Sequence, residues 1–319
     1  MAETDVTVRE VGLRDGIQII GGFMPTPAKI AWVEAEVAAG VSEIEVTSFV
    51  PPAVIAQFAD APEVAAAAVR LPGLETAALV PNLKGAERAV AAGVGKINFV
   101  MSVSRTHNLN NVRREREESL ADFRRIAAML VALPPERRPM LVGGLSTAFG
   151  CSFEGPVPAD AVRHYATLLA EAGAQELIIA DTVGYGDPAQ VRVVFDALRT
   201  DLGALPLAAH FHDTRGTGLA NVAAALDCGV RRFDASLGGL GGCPFAPGAT
   251  GNIVMEDLCF MLDSMGLRTG VDLEALLAVR RQVAAALPGE AMYGALARAG
   301  LPKRYVSAEQ RRAEAGPAV

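Results

Sequence analysis

The sequence predicts one (β/α)₈ barrel followed by an additional C-terminal helix. Three observations lead there. Eight short β-rich apolar runs alternate with longer segments of helical composition. The runs are nearly continuously apolar, as in a parallel sheet covered on both faces. No Gly-x-Gly-x-x-Gly turn follows the first run, which argues against an open dinucleotide-binding sheet. With 319 residues, 51% hydrophobic and 20% charged, the chain can fill one large core.

Taken in order, strands are expected at 6–11, 43–47, 75–80, 96–101, 140–146, 176–180, 206–211 and 232–237. Helices are expected at 27–39, 62–70, 83–92, 115–133, 158–172, 188–202, 217–228 and 252–265. Proline near a first helical turn sacrifices no backbone bond, and glycine after a last turn accepts a left-handed backbone; Pro27 with Gly40 and Pro158 with Gly173 mark helix limits in this way. The phrases at 38–41, 91–94 and 172–174 are helix ends running into the next strand, not a solenoid repeat. One further helix is expected at 273–287, so the barrel domain covers 1–302. The charged segment 303–319 is expected to be a mobile tail.

Composition narrows the partners. Lys and Arg number 29 against 36 Asp and Glu, a net charge of −7, so there is no overall basic field for nucleic acid. No apolar run reaches the roughly 20 residues needed to cross a bilayer, and the start MAETDVTVRE has no secretory pattern, so a cytoplasmic location without membrane contact is expected. Cys151, Cys228, Cys243 and Cys259 are spaced as reduced thiols rather than as a disulfide framework.

In such a barrel, chemistry gathers where the strands end at their C-terminal rim. The first strand runs into Arg14-Asp15-Gly16, the second contains Glu45, the fourth leads to His107, and the sixth ends at Asp181-Thr182. The seventh reads Ala209-His210-Phe211-His212-Asp213, and alternation puts His210 and His212 on one face. Two imidazoles at i and i+2 can meet one ion, with Asp15 supplying a hard oxygen; the alternative is two unrelated polar residues at a strand end. The eighth strand opens into Gly238-Gly239-Leu240-Gly241-Gly242-Cys243, a glycine-rich loop placing one thiol near the rim. Asn252 reads as a helix cap. His164 reads as structural, and His107, in a rim loop, is open to either reading. The 113–118 charge run reads as a solvated helix start.

Four phrases carry a resemblance: VGLRDGIQ at 11–18, EVTSFVPP at 45–52, HFHDTRGTGLAN at 210–221 and GLGGCPFAPGATGN at 239–252. The chain resembles the 3-hydroxy-3-methylglutaryl-CoA lyase family, metal-dependent lyases on TIM barrels, from about residue 6 to 276. The resemblance implies a divalent cation, Mg²⁺ or Mn²⁺, held by Asp15, His210, His212 and the side-chain oxygen of Asn252, which displaces the capping reading. It assigns Arg14 to the thioester carbonyl and Cys243 to a mobile catalytic loop. Glu45, Asp181 and Glu256 become polar support or proton handling, with Asp181 the candidate base. An acyl-CoA thioester substrate, a homodimer or higher homo-oligomer, and a place in leucine catabolism are also implied. The reaction would be a retro-Claisen cleavage releasing acetyl-CoA and acetoacetate.

The sequence departs from the family pattern at three places. Ile19-Ile20 replaces a polar pair, Arg105 stands where Glu is typical, and 178–181 reads Ile-Ile-Ala-Asp rather than Ser-Leu-Gly-Asp. These changes predict a more apolar, locally more positive mouth, and bring in a longer branched 3-hydroxyacyl-CoA or citramalyl-CoA as alternative substrate. An isopropylmalate-type condensing synthase and a non-catalytic metal-binding barrel are the rival readings.

Overall fold

The structure, a computed structural model, describes residues 4–242 and 251–315. Strands β1 (Thr7–Glu10), β2 (Glu43–Ser48), β3 (Glu75–Val80), β4 (Lys96–Ser102), β5 (Met140–Ser146), β6 (Glu176–Asp181), β7 (Leu207–Phe211) and β8 (Arg232–Ala235) pair in chain order. All pairs are parallel, and β1 closes on β8. The outer layer is built from α1 (Thr26–Ala38), α2 (Ala61–Ala68), α3 (Leu83–Ala92), α4 (Arg105–Val112), α5 (Arg116–Val131), α6 (Ala159–Glu171), α7 (Pro188–Leu202), α8 (Gly218–Asp227) and α9 (Met255–Ser264). The chain then forms α10 (Leu273–Ala286), α11 (Ala295–Ala299) and α12 (Ala308–Ala315). The expected closed barrel is what the chain forms.

Local chemistry sets several limits. Asn82 accepts a hydrogen bond from Gly85 N at 2.9 Å and so starts α3. Asp187 starts α7 by accepting from Ala189 N and Gln190 N at 2.8 and 3.0 Å. Apolar strand residues face the helices: Phe99 packs edge-on against Phe123 of α5 with ring centroids 5.6 Å apart. Burying each such side chain contributes about 1.5–3 kcal/mol.

The inner face departs from the expectation of uniformly apolar strands. Arg9 of β1 pairs with Glu43 and Asp234 on the neighbouring strands β2 and β8, and reaches across the barrel interior to Glu176 of β6. Lys96 joins Glu43 at 2.7 Å, and Arg232 reaches Glu43 at 3.3 Å. The runs EIEVTS, KINFVMS and RFDA therefore alternate, with charge inward and aliphatic or aromatic groups outward. A small apolar cluster of Val142, Ile178 and Ala208 fills the other side of the interior.

Two local expectations are corrected. The last barrel helix begins at Met255, so Asn252 is not its cap. The tail is not free through 315: Tyr305 Oη donates to Asp263 Oδ2 at 2.5 Å, and Arg312 of α12 lies 3.2 Å from Asp5. Both partners are remote in sequence, which is why the charged composition suggested solvent instead. Residues 316–319 lie outside the described residues.

Candidate metal centre and active site

After β1 the chain makes one wide helical turn over Gly12–Gly16, with Gly16 N and Ile17 N each donating to the carbonyl five residues back, at 3.3 and 2.8 Å. The turn brings Arg14 and Asp15 over the barrel mouth. Arg14 Nη1 donates to Asp15 Oδ1 at 2.6 Å, and its Nε donates to Glu45 Oε2 on β2. Glu45 Oε1 accepts from Asn98 Nδ2 at 2.8 Å. The guanidinium is thus clamped by two carboxylates, which outweigh burial and raise its pKa. Burial works against an ionised Asp15, but the Arg14 charge, with help from His212 and His210, holds its carboxyl well below the usual range.

His210 and His212 leave β7 on the same face, with their Nε2 atoms 3.1 Å apart. Asp15 Oδ2 stands 3.5 Å from His212 Nε2, and the donor atoms of all three residues lie within 4.8 Å of one another. Behind His210, Asp234 Oδ2 faces Nδ1 at 3.1 Å, while its Oδ1 accepts from Arg9 Nε at 2.7 Å. Arg9 and His210 overcome burial and keep Asp234 ionised. An ionised carboxylate only accepts, so Nδ1 carries a hydrogen, and in the neutral ring Nε2 keeps its lone pair toward Asp15 and His212.

Asn252 arrives from a different element. Residues 251–253 lie antiparallel beside the end of β7, with Asp213 N bonded to Gly251 O at 3.0 Å and Ile253 N to Phe211 O at 3.1 Å. Gly251, at φ +90°, is packed against the Gly239 and Gly241 carbonyls, where a side chain has no room. The Asn252 amide donates to Asp15 Oδ2 at 2.7 Å and to Leu240 O at 3.0 Å, leaving its Oδ1 buried and without a partner among the described residues. Two imidazole nitrogens, a carboxylate oxygen and an orphaned amide oxygen are a donor set that fits a divalent cation; adjacent ligands of an octahedral ion at ~2.1 Å stand about 3 Å apart, as the two imidazole nitrogens do.

Arg14, Asp15, His210 and His212 line one side of a cavity of about 350 Å³ that also takes in Asn98, Val100, Gly144, Ile178 and Ala180. Its outer wall includes Arg113 and Arg114, so part of the charge run read as a helix start faces the mouth; α5 begins only at Arg116. His107 is also in the wall, with Nδ1 2.8 Å from Ser102 Oγ, and burial lowers its pKa to about 4. His164 is exposed on α6.

Other expected residues stand apart from the cavity. Asp181 is buried, and its oxygens accept from Tyr185 N and Gly186 N, each at 2.9 Å. Ala180 and Thr182, its neighbours in the alternation, are the ones that line the cavity. In this structure Asp181 therefore staples the following loop and does not itself line the cavity. Glu256 accepts from Gly238 N at 2.9 Å and Arg280 Nη1 at 2.8 Å, supporting the glycine-rich loop from behind. Cys243 lies outside the described residues. Of the departures, Ile178 and Ala180 face the cavity, but Ile19 and Ile20 do not. Arg105 adds no charge there, because it pairs with Glu115 on the outside. Asp234 and Asn98 were missed from sequence; their signal was strand alternation in RFDA and KINFVMS, masked by treating those runs as uniformly apolar.

A closed parallel barrel with an Asp-His-His cluster and a clamped guanidinium at its C-terminal rim defines a class, the TIM-barrel enzymes with a candidate divalent-metal centre. The family profile described as HMGL-like matches residues 5–283. The hydroxymethylglutaryl-CoA lyase YngG of Bacillus subtilis is 42% identical over 278 residues, 87% of this chain and 92% of that protein. The mitochondrial hydroxymethylglutaryl-CoA lyase of Gallus gallus is 39% identical over 274 residues, 85% of this chain and 90% of its own length. Among solved structures, an HMG-CoA lyase from Acinetobacter baumannii in complex with coenzyme A and 3-methylmalate is 40% identical, with TM-score 0.88, covering 96% of this chain and 99% of that one. The chain belongs to the HMGL-like family and is a carbon–carbon lyase.

Proposed function

We propose that this cavity cleaves 3-hydroxy-3-methylglutaryl-CoA to acetyl-CoA and acetoacetate. The observation that carries the reading is the meeting of Asp15, His210 and His212 beside the clamped Arg14 in one cavity. Asp15, His210, His212 and Asn252 would hold Mg²⁺ or Mn²⁺, which when bound supplies Lewis acidity toward the substrate's oxygens.

The chain's own residues account for the rest. Loss of the C3 hydroxyl proton lets that oxygen form a carbonyl as the C2–C3 bond breaks, and the electron pair moves into the thioester. Arg14, held ionised and fixed by Glu45 and Asp15, offers its charge to the thioester oxygen as negative charge develops there. Glu45 acts by orienting Arg14, and Glu256 by supporting Gly238. Cys243 is the proposed donor of the proton that C2 must regain.

The test is acetyl-CoA release from a panel of 3-hydroxyacyl-CoA thioesters, with and without chelator. Activity should vanish on chelation and return with Mg²⁺ or Mn²⁺. Cleavage insensitive to chelator, or no cleavage of any member, overturns the proposal. The Ile178 and Ala180 side chains in the cavity wall favour a second reading, in which a longer branched acyl group or citramalyl-CoA is cleaved faster. The ranking within the panel decides between them.

A further inference from the structure

Glu10 ends β1 facing away from the cavity and is fully buried. Its Oε1 accepts from Gly12 N at 2.5 Å, and both of its oxygens face Leu237 N, at 3.2 and 3.0 Å. The first amide belongs to the turn that carries Arg14 and Asp15. The second opens the glycine-rich segment that continues through Gly241. One carboxylate therefore ties together two pieces of the active-site rim.

The ionisable groups that act on Glu10 are Glu36 from α1 and Glu256 and Cys259 from α9, while Arg280 from α10 pairs with Glu256. Glu256 is satisfied by Arg280 and Gly238 N, and burial keeps the Cys259 thiol neutral. Glu36 has much less. Its Oε1 accepts from Trp32 Nε1 at 2.7 Å, and its buried Oε2 meets no donor among the described residues. Glu10 Oε1 and the Trp32 ring both crowd Gly12, and Trp32 Nε1 donates to Glu36, so the two carboxyls share one dry pocket, where both cannot carry charge. Glu10 has backbone N–H groups to stabilise an anion, so the proton belongs on Glu36.

We propose that Glu36 is a protonated positioning residue, whose carboxylic acid donates to the Glu10 carboxylate and so holds Glu10 as the tie between the Arg14–Asp15 turn and the loop entering at Leu237. Burial pushes both carboxyls upward, so the pair keeps its proton at neutral pH. The tie is complete while the proton is present and loosens as the pH rises through the pair's raised pKa.

The turnover readout rests on the lyase reading, whereas an infrared readout does not, so the two can fail separately. The pH profile of kcat is compared for the wild type, Glu36→Gln and Glu36→Leu, with circular dichroism confirming the fold. The Gln amide donates at every pH, so its alkaline limb should move up by about one pH unit or more. The Leu variant has no donor, and its kcat at neutral pH should fall about tenfold below that of Glu36→Gln with little change in KM. In the infrared, the wild type should show a neutral-carboxylic-acid carbonyl stretch that Glu36→Gln lacks. A wild-type alkaline limb retained in Glu36→Gln, equal turnover in the Gln and Leu variants, or no such difference band overturns the proposal. Failure of every thioester to react sinks the lyase reading alone, since the band still reports the proton.

Discussion

Asp234 stands behind His210, its Oδ2 3.1 Å from Nδ1, while Arg9 holds its other oxygen. The buried charge layer of the barrel and the candidate metal centre are thus one connected structure. The carboxylate orients the ring and strengthens Nε2 as a ligand. Asp234→Asn keeps the shape but removes the charge, and Mn²⁺ affinity should fall about 10–100-fold. Metal titration checks this, and turnover should partly recover at saturating metal. Unchanged affinity would show that Asp234 serves only the salt-bridge layer.

Arg9 compensates three buried carboxylates, Glu43, Glu176 and Asp234. Arg9→Met leaves them short of a cation in a closed interior, where an uncompensated charge costs about 3–5 kcal/mol. Chemical denaturation should show a loss of that size. A loss well under 1 kcal/mol would mean that Lys96 and Arg232 suffice.

His107 provides an acid-side prediction. Burial depresses its pKa from 6.5 to about 4, so the unfolded chain takes up a proton before the folded one does. Its contribution to stability is present above the unfolded value and is lost as pH falls from about 6.5 to about 4. His107→Gln should flatten this part of the melting-temperature profile. A slope equal to that of the wild type would rule His107 out as its source.

Asp181→Asn tests the loop staple. An amide cannot accept from both Tyr185 N and Gly186 N with two oxygens, and leaving a buried donor unpaired costs about 1–3 kcal/mol. Faster amide exchange at Tyr185 and Gly186, with the shape of the pH–rate profile kept, is the expected result. Disappearance of one limb of that profile would return Asp181 to the role of base.

The closed barrel was legible because strand and helix signals are local: β4 and α3 were bounded to within a residue by their own composition. The rim was legible in part. His210 and His212 are two residues apart on one strand, so backbone alternation alone put them together. Glu45 and Asp181 looked equivalent in sequence, as acids at or near strand ends. Packing separated them, since Glu45 meets Arg14 at the cavity and Asp181 is claimed by the next loop.

By itself, the sequence determined the element order, the rim residue types and the two-histidine face, because each depends on neighbours within a few residues. Only the tertiary structure decided what fills the barrel, which carboxylate backs His210, and which acids share the space behind β1. Those outcomes depend on side chains as far apart in the chain as Arg9 and Asp234 competing for one dry interior, where charge must be matched by contact and sequence separation has no bearing.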